Sequence, residues 1–80
     1  MVFVYIIKSE KNGSLYKGLT KDLKIRLQEH NSGKTKSTKA YAPWILGYYE
    51  KFDNVAEART REKYFKTAAG RRLIKQKLAS

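Results

Sequence analysis

Glu62 is a carboxylate out of place. At about 100° per residue, Val55, Ala58, Glu62 and Phe65 share one sector of a helix roughly 80° wide. The acid therefore sits in the middle of an apolar stripe, where a bare charge costs several kcal/mol. It must be paired, protonated or bound to a metal. An internal salt bridge, to Arg26 or Arg61, answers the problem as well as a metal does, and periodicity leaves both open. The remaining residues limit which metal would suit. The chain has no cysteine and one histidine, His30, which excludes thiolate and multi-histidine centres, disulfides and a cysteine nucleophile. Only carboxylates remain as ligands, and these favour a hard cation such as Mg²⁺ or Mn²⁺. Arg26 and His30 are spaced i,i+4 and lie along one edge of another helix. A guanidinium there is permanently charged and grips two phosphate oxygens at once.

Positioning these groups requires a fold, and its elements are legible. Val2 to Ile7 is almost continuously apolar and β-branched, as a strand covered on both faces would be. Asn12-Gly13 signals a hairpin, and Ser14 to Thr20 returns as the second strand. With a two-residue loop, Ser9 pairs with Tyr16, Ile7 with Gly18 and Tyr5 with Thr20, which places Tyr5 and Tyr16 on one face. A slip of one residue would separate them. Thr20 or Asp22 caps a helix running to about Ser32, with Leu23 and Leu27 as its apolar stripe and Gly33 to end it. Residues 34–42 form a polar, basic loop. Pro43 opens a third strand, Trp44 to Phe52, with Trp44 read as core rather than as a stacking platform. Asp53 or Asn54 caps a second helix, Val55 to Thr67. Ala68-Ala69-Gly70 breaks it, and a short basic helix, Arg71 to Leu78, follows. The expectation is a single α+β domain over residues 1–80, in the order ββαβαα.

Charge narrows the partners. Eighteen Lys and Arg against seven Asp and Glu give a net charge of +11 on 80 residues, a field that attracts phosphate polymers or anionic membranes. No strongly amphipathic membrane helix stands out, so nucleic acid is the expected partner, with DNA ahead of RNA. The N-terminus is apolar for only about six residues and lacks a basic leader, so it reads as a strand and the protein as cytoplasmic. Lys34, Lys36 and Lys39, interleaved with Ser37, Thr38 and Tyr41, suit phosphate and sugar contacts. Arg71 and Arg72, with Lys75 and Lys77, make a second candidate patch. A solvated face is the bland alternative for each, as ordinary strand tyrosines are for Tyr5 and Tyr16 and a capping cation is for His30.

Phe3-Val4-Tyr5 and Tyr16-Lys17-Gly18, followed by Arg26, by His30-Asn31, by a Lys36–Lys39 loop, by Pro43-Trp44 and by Arg61-Glu62-Lys63, resemble the GIY-YIG nuclease pattern. The likeness is to the small stand-alone bacterial branch of the family and covers essentially the whole chain. It implies a three-stranded antiparallel sheet flanked by helices, with the active site on one sheet face, and an enzyme that cleaves phosphodiester bonds, in DNA repair or processing; a monomer is the separate expectation for its assembly. It also assigns roles. The tyrosine matching Tyr16 helps deprotonate the attacking water, Arg26 stabilises the phosphate, and Glu62 holds a single Mg²⁺ or Mn²⁺. Tyr5 and His30 complete the hydrogen-bond network. Two departures stand out: Lys17 takes an aliphatic position, on a strand period that points it away from Tyr16, and Leu19 stands where some members carry a lysine. A nucleic-acid-binding module of the same fold without cleavage is the competing reading.

Overall fold

Strand β1, Val2–Ser9, lies at the centre of the sheet, and its residues alternate between two apolar clusters. Val2, Val4 and Ile6 pack with Ala58, Phe65 and Ile74 on one face, while Tyr5 and Ile7 pack with Trp44, Leu23 and Leu27 on the other. Burial on both sides is why the run reads as continuously apolar. The computed structural model describes residues 1–79. In it, β2 (Leu15–Thr20) and β3 (Trp44–Phe52) flank β1 antiparallel in the order β2-β1-β3. Helix α1 (Leu23–Asn31) covers one face; α2 (Val55–Phe65) and α3 (Ala68–Ala79) cover the other. The α+β class and the order ββαβαα are as expected. Among the described residues no helix is long and apolar enough to cross a membrane.

Local chemistry sets the element ends. Asp22 caps α1 by accepting from the Ile25 amide at 3.0 Å, and Gly33, at φ +81°, turns the chain out of it. Asn54 caps α2 through the Glu57 amide at 2.9 Å. Helix α3 begins at Ala68, so Ala68-Ala69-Gly70 starts a helix rather than lying between two. Thr67 supplies the missed signal: its hydroxyl accepts from the Gly70 amide at 3.1 Å. Gly70 is buried at the α2–α3 crossing, where a Cβ would collide with the Tyr64 carbonyl and the Phe65 Cα. It permits close approach of two helices instead of breaking one.

The hairpin differs from the expected register by two residues. Tyr5 pairs with Gly18 and Ile7 with Tyr16. The loop is longer because the Ser9 hydroxyl collects the amides of Lys11 and Asn12, at 3.0 and 3.2 Å, and the strand pair closes with the Ser9 amide on the Ser14 carbonyl at 2.8 Å. An even slip preserves the face, so Tyr5 and Tyr16 still point the same way.

Candidate active site

The sheet places Tyr5 directly opposite Gly18, and the tyrosine ring lies across the glycine. A Cβ on Gly18 would sit 2.5 Å from the Tyr5 hydroxyl and 2.7 Å from Cζ. The bare position therefore houses the ring of Tyr5. Helix α1 then brings Arg26 and His30, one turn apart, onto that ring's hydroxyl. Arg26 Nε donates to it at 3.3 Å, and His30 Nε2 lies 2.9 Å away. On the other side of the imidazole, His30 Nδ1 is 2.8 Å from the Thr38 hydroxyl, itself 3.3 Å from the Thr35 carbonyl.

One proton inventory satisfies every atom of this chain. A carbonyl only accepts, so Thr38 donates to Thr35 and accepts from Nδ1–H; Nε2 then carries a lone pair that accepts the Tyr5 O–H. Arg26 completes the phenol's coordination. His30 is 0% exposed, and burial together with the Arg26 charge holds its pKa below the ordinary histidine value. It is a neutral linchpin, not a capping cation. Burial likewise pushes the Tyr5 phenol up, against the pull of the Arg26 hydrogen bond. Tyr5 thus stays protonated and acts as a mount for Arg26.

Thr38 is fully buried in this relay, and its carbonyl accepts the Trp44 indole N–H at 2.9 Å. It is unavailable for the sugar or phosphate contacts that its loop suggested. Asn31 holds the Trp44 backbone at both its amide and its carbonyl. Trp44 is 4% exposed and part of the core.

Tyr16 stands half-buried beside this assembly, its ring centroid 5.0 Å from that of His30 and 6.4 Å from that of Trp44. Above it opens a cleft of about 420 Å³, lined by Tyr5, Tyr16, Gly18, Arg26 and Glu62 together with Lys17, Arg59, Lys63 and Lys66. Four of the five expected catalytic residues line this cleft; His30 supports it from behind. The expectation of a site on one sheet face needs correction. Tyr5, Tyr16 and Arg26 belong to the α1 face, whereas α2 packs on the opposite face. The two meet because β2 is an edge strand, and α2 reaches past it.

Glu62 is half-buried and forms no ion pair or hydrogen bond among the described residues. Both candidate partners are engaged elsewhere. Arg26 binds Glu29 at 2.9 Å. Arg61 grips Glu50 of β3 through two bonds, 2.7 and 3.1 Å, and lies over the rings of Tyr64 and Phe65. Burial opposes the Glu50 charge, yet the Arg61 and Tyr48 hydrogen bonds hold its carboxyl below the usual range. Arg61 is thus a structural clamp between α2 and β3. Val55, expected on the buried stripe, is exposed; Ala58 and Phe65 are the buried members.

The free carboxylate fits a hard cation. No group of three or more His, Cys, Asp or Glu converges anywhere among the described residues, and both His30 nitrogens are occupied. The protein would contribute one ligand, leaving the other positions to water and phosphate, as Mg²⁺ tolerates.

Three cations of the cleft, along α2 and at its C-cap, were given no role from sequence. Arg59, Lys63 and Lys66 follow an i, i+4, i+7 row beside Glu62, a signal that periodicity does contain. Lys17 points away from Tyr16, as its strand period requires, yet lines the cleft because the strand is an edge. Burial, with Arg71 and Lys66 nearby, lowers its pKa. Arg71 lines an adjoining hollow with Lys17 and Lys75. Lys34, Lys36, Lys39 and Arg72 are exposed but do not line the cleft.

The GIY-YIG catalytic-domain model matches residues 1–77. A UPF0213 protein of Staphylococcus saprophyticus is 42% identical over 74 residues, covering 91% of this chain and 89% of its own length. One from Clostridium perfringens is 45% identical over 67 residues, covering 82% and 71%. The solution NMR structure of a UPF0213 protein from Bacillus halodurans superposes with a TM-score of 0.57 at 30% identity, over 95% of this chain and 84% of that one. With a family model spanning nearly its full length and relatives of matching size, the chain belongs to the GIY-YIG family, among its UPF0213 members.

Proposed function

We propose that this protein is a divalent-metal-dependent endonuclease that hydrolyses a phosphodiester bond of DNA in the cleft over the β2 edge. The family's catalytic domain is of nuclease type, and the single observation that carries the reading for this chain is Glu62. A half-buried carboxylate with no protein partner, set among Lys17, Arg26, Arg59, Lys63 and Lys66, is poised for a cation and a polyanion together.

The roles follow from what each side chain has left to offer. Arg26 spends two of its five N–H donors on Tyr5 and Glu29 and keeps three for the scissile phosphate, already oriented. Tyr16 has no hydrogen bond to protein among the described residues, so its hydroxyl is free to accept a proton from the attacking water as its own phenolic proton passes to solvent in the open cleft. Tyr5 and His30 fix the guanidinium. A divalent ion held by Glu62 would neutralise developing charge on the phosphate and the leaving oxygen. Lys63 and Lys66 continue the cationic wall along the backbone.

The test is cleavage of labelled single-stranded, duplex and branched DNA with and without Mg²⁺ or Mn²⁺, using the wild type and Glu62→Gln. Metal-stimulated cleavage should fall at least about 100-fold in the variant, with binding in EDTA preserved. Equal cleavage by both proteins would refute the metal assignment. Binding with no metal-stimulated cleavage on any substrate would identify a binding module instead.

A further inference from the structure

Helix α1 covers only part of its sheet face. Its apolar partners are Tyr5, Ile7, Tyr16 and Trp44, and the row beyond them is left open. Phe3 lies two residues along β1 from Tyr5, on the same face and roughly 7 Å away. Across the sheet, Tyr49 pairs with Tyr5 and Lys51 with Phe3, so all point the same way. The Phe3 and Tyr49 rings meet edge to face at 5.9 Å, and neither belongs to either core cluster. Tyr49 is 49% exposed, and Lys51 is exposed beside them.

We infer that Phe3 and Tyr49 form a stacking platform for an unpaired nucleobase flanking the scissile phosphate, making the preferred substrate a single strand, overhang or flap. The inference rests on the nuclease reading only for the position of the scissile bond. Its own support is geometric and electrostatic. Two aromatic rings on neighbouring strands, propped against each other and partly open to solvent, present a π surface with no further ring or cation against it among the described residues. Lys51, paired with Phe3 across the sheet, suits a phosphate beside a stacked base. Self-association through the same rings would bring together chains of net charge +11, so a polyanion is the complementary occupant. An intact duplex hides its base faces and gains nothing from the platform; an unpaired base gains from stacking whatever its identity.

Fluorescence anisotropy in EDTA tests this without cleavage, using an oligodeoxynucleotide alone and annealed as a blunt duplex. Tyr49→Ala should weaken single-strand binding about tenfold, and Tyr49→Phe should restore it to within about twofold. Duplex affinity and the salt dependence of both should remain unchanged, because no phosphate contact is removed. A 2-aminopurine in the strand should be quenched by the wild type and by Tyr49→Phe, but less by Tyr49→Ala. Tyr49 is half exposed, so the variants should keep the wild-type Tm. Unchanged single-strand affinity in folded Tyr49→Ala would overturn the platform. So would equal losses for strand and duplex, or a wild-type dimer that Tyr49→Ala converts to monomer. Tyr49-dependent strand binding without any metal-stimulated cleavage would retain the platform and refute the nuclease; cleavage indifferent to Tyr49, with unchanged binding, would do the reverse.

Discussion

Replacing Gly18 with alanine should destabilise this protein, although the same change in most strands does the opposite. Removing a strand glycine ordinarily stabilises by ~0.5–1 kcal/mol, because the unfolded chain loses freedom. Here the new Cβ would lie 2.5 Å from the Tyr5 hydroxyl and 2.7 Å from its Cζ. The Tyr5 ring is 2% exposed and held at its hydroxyl by Arg26 and His30, so it cannot swing away freely. Overpacking of this kind costs ~1–3 kcal/mol. If the ring shifts, buried His30 Nε2 loses its partner at a further ~1–3 kcal/mol. With the ring displaced, and net of the entropic gain, the change should cost about 1–5 kcal/mol. For a domain of this size a midpoint of ~3 kcal/mol corresponds to a Tm lower by ~12–24 °C. Thermal unfolding followed by circular dichroism measures it. Gly47→Ala is the control: its Cβ meets mainly the tip of Leu78, at 2.6 Å, and a half-buried flexible side chain can yield. A double-mutant cycle isolates the cause, since in a Tyr5→Leu background the Gly18→Ala penalty should vanish. A Gly18→Ala protein as stable as the wild type, or a penalty undiminished by Tyr5→Leu, would refute this account of the site.

Two further outcomes follow from the same geometry. The His30 pKa is depressed in the folded state, so the unfolded chain binds its proton first; stability should hold above about pH 6.5 and decline as pH falls below it, by at most ~1.4 kcal/mol per pH unit from this group. NMR titration reads it directly, and an imidazole titrating at or above its ordinary value would contradict the buried neutral relay. Separately, Lys63→Ala with Lys66→Ala should flatten the salt dependence of single-strand binding by about 1.4 log units per decade, at ~0.7 for each lost phosphate contact. Alanine at Lys36 and Lys39, outside the cleft, should leave the slope alone; the reverse result would move the binding surface to the loop.

Sequence order carried the fold well because each element advertised itself locally. Apolar β1, the Asp22 and Asn54 caps and the Trp44–Phe52 strand needed no tertiary information. What misled was chemistry between elements. Asn12-Gly13 looks like a complete turn until the Ser9 hydroxyl is seen gathering two amides. Gly70 looks like a breaker until α2 is packed against it. Thr38 looks like a loop hydroxyl awaiting phosphate, and only the distance to His30 reveals a buried relay.

The placement of Tyr5 and Tyr16 on one face survived a two-residue error in register because parity, not register, decides which strand residues share a face. Its weaker premise was that a shared pocket requires a shared face. An edge strand removes that requirement. With β2 at the margin of the sheet, Tyr16 and Gly18 reach the cleft from one side, Lys17 and Leu19 from the other, and α2 lines it with Glu62. The same topology explains why Lys17 belongs to the site despite pointing away from Tyr16. It also explains why Glu62 can lie on a core-facing helical stripe and still be open to a cation: the stripe runs past the last strand, and the acid sits where the sheet ends.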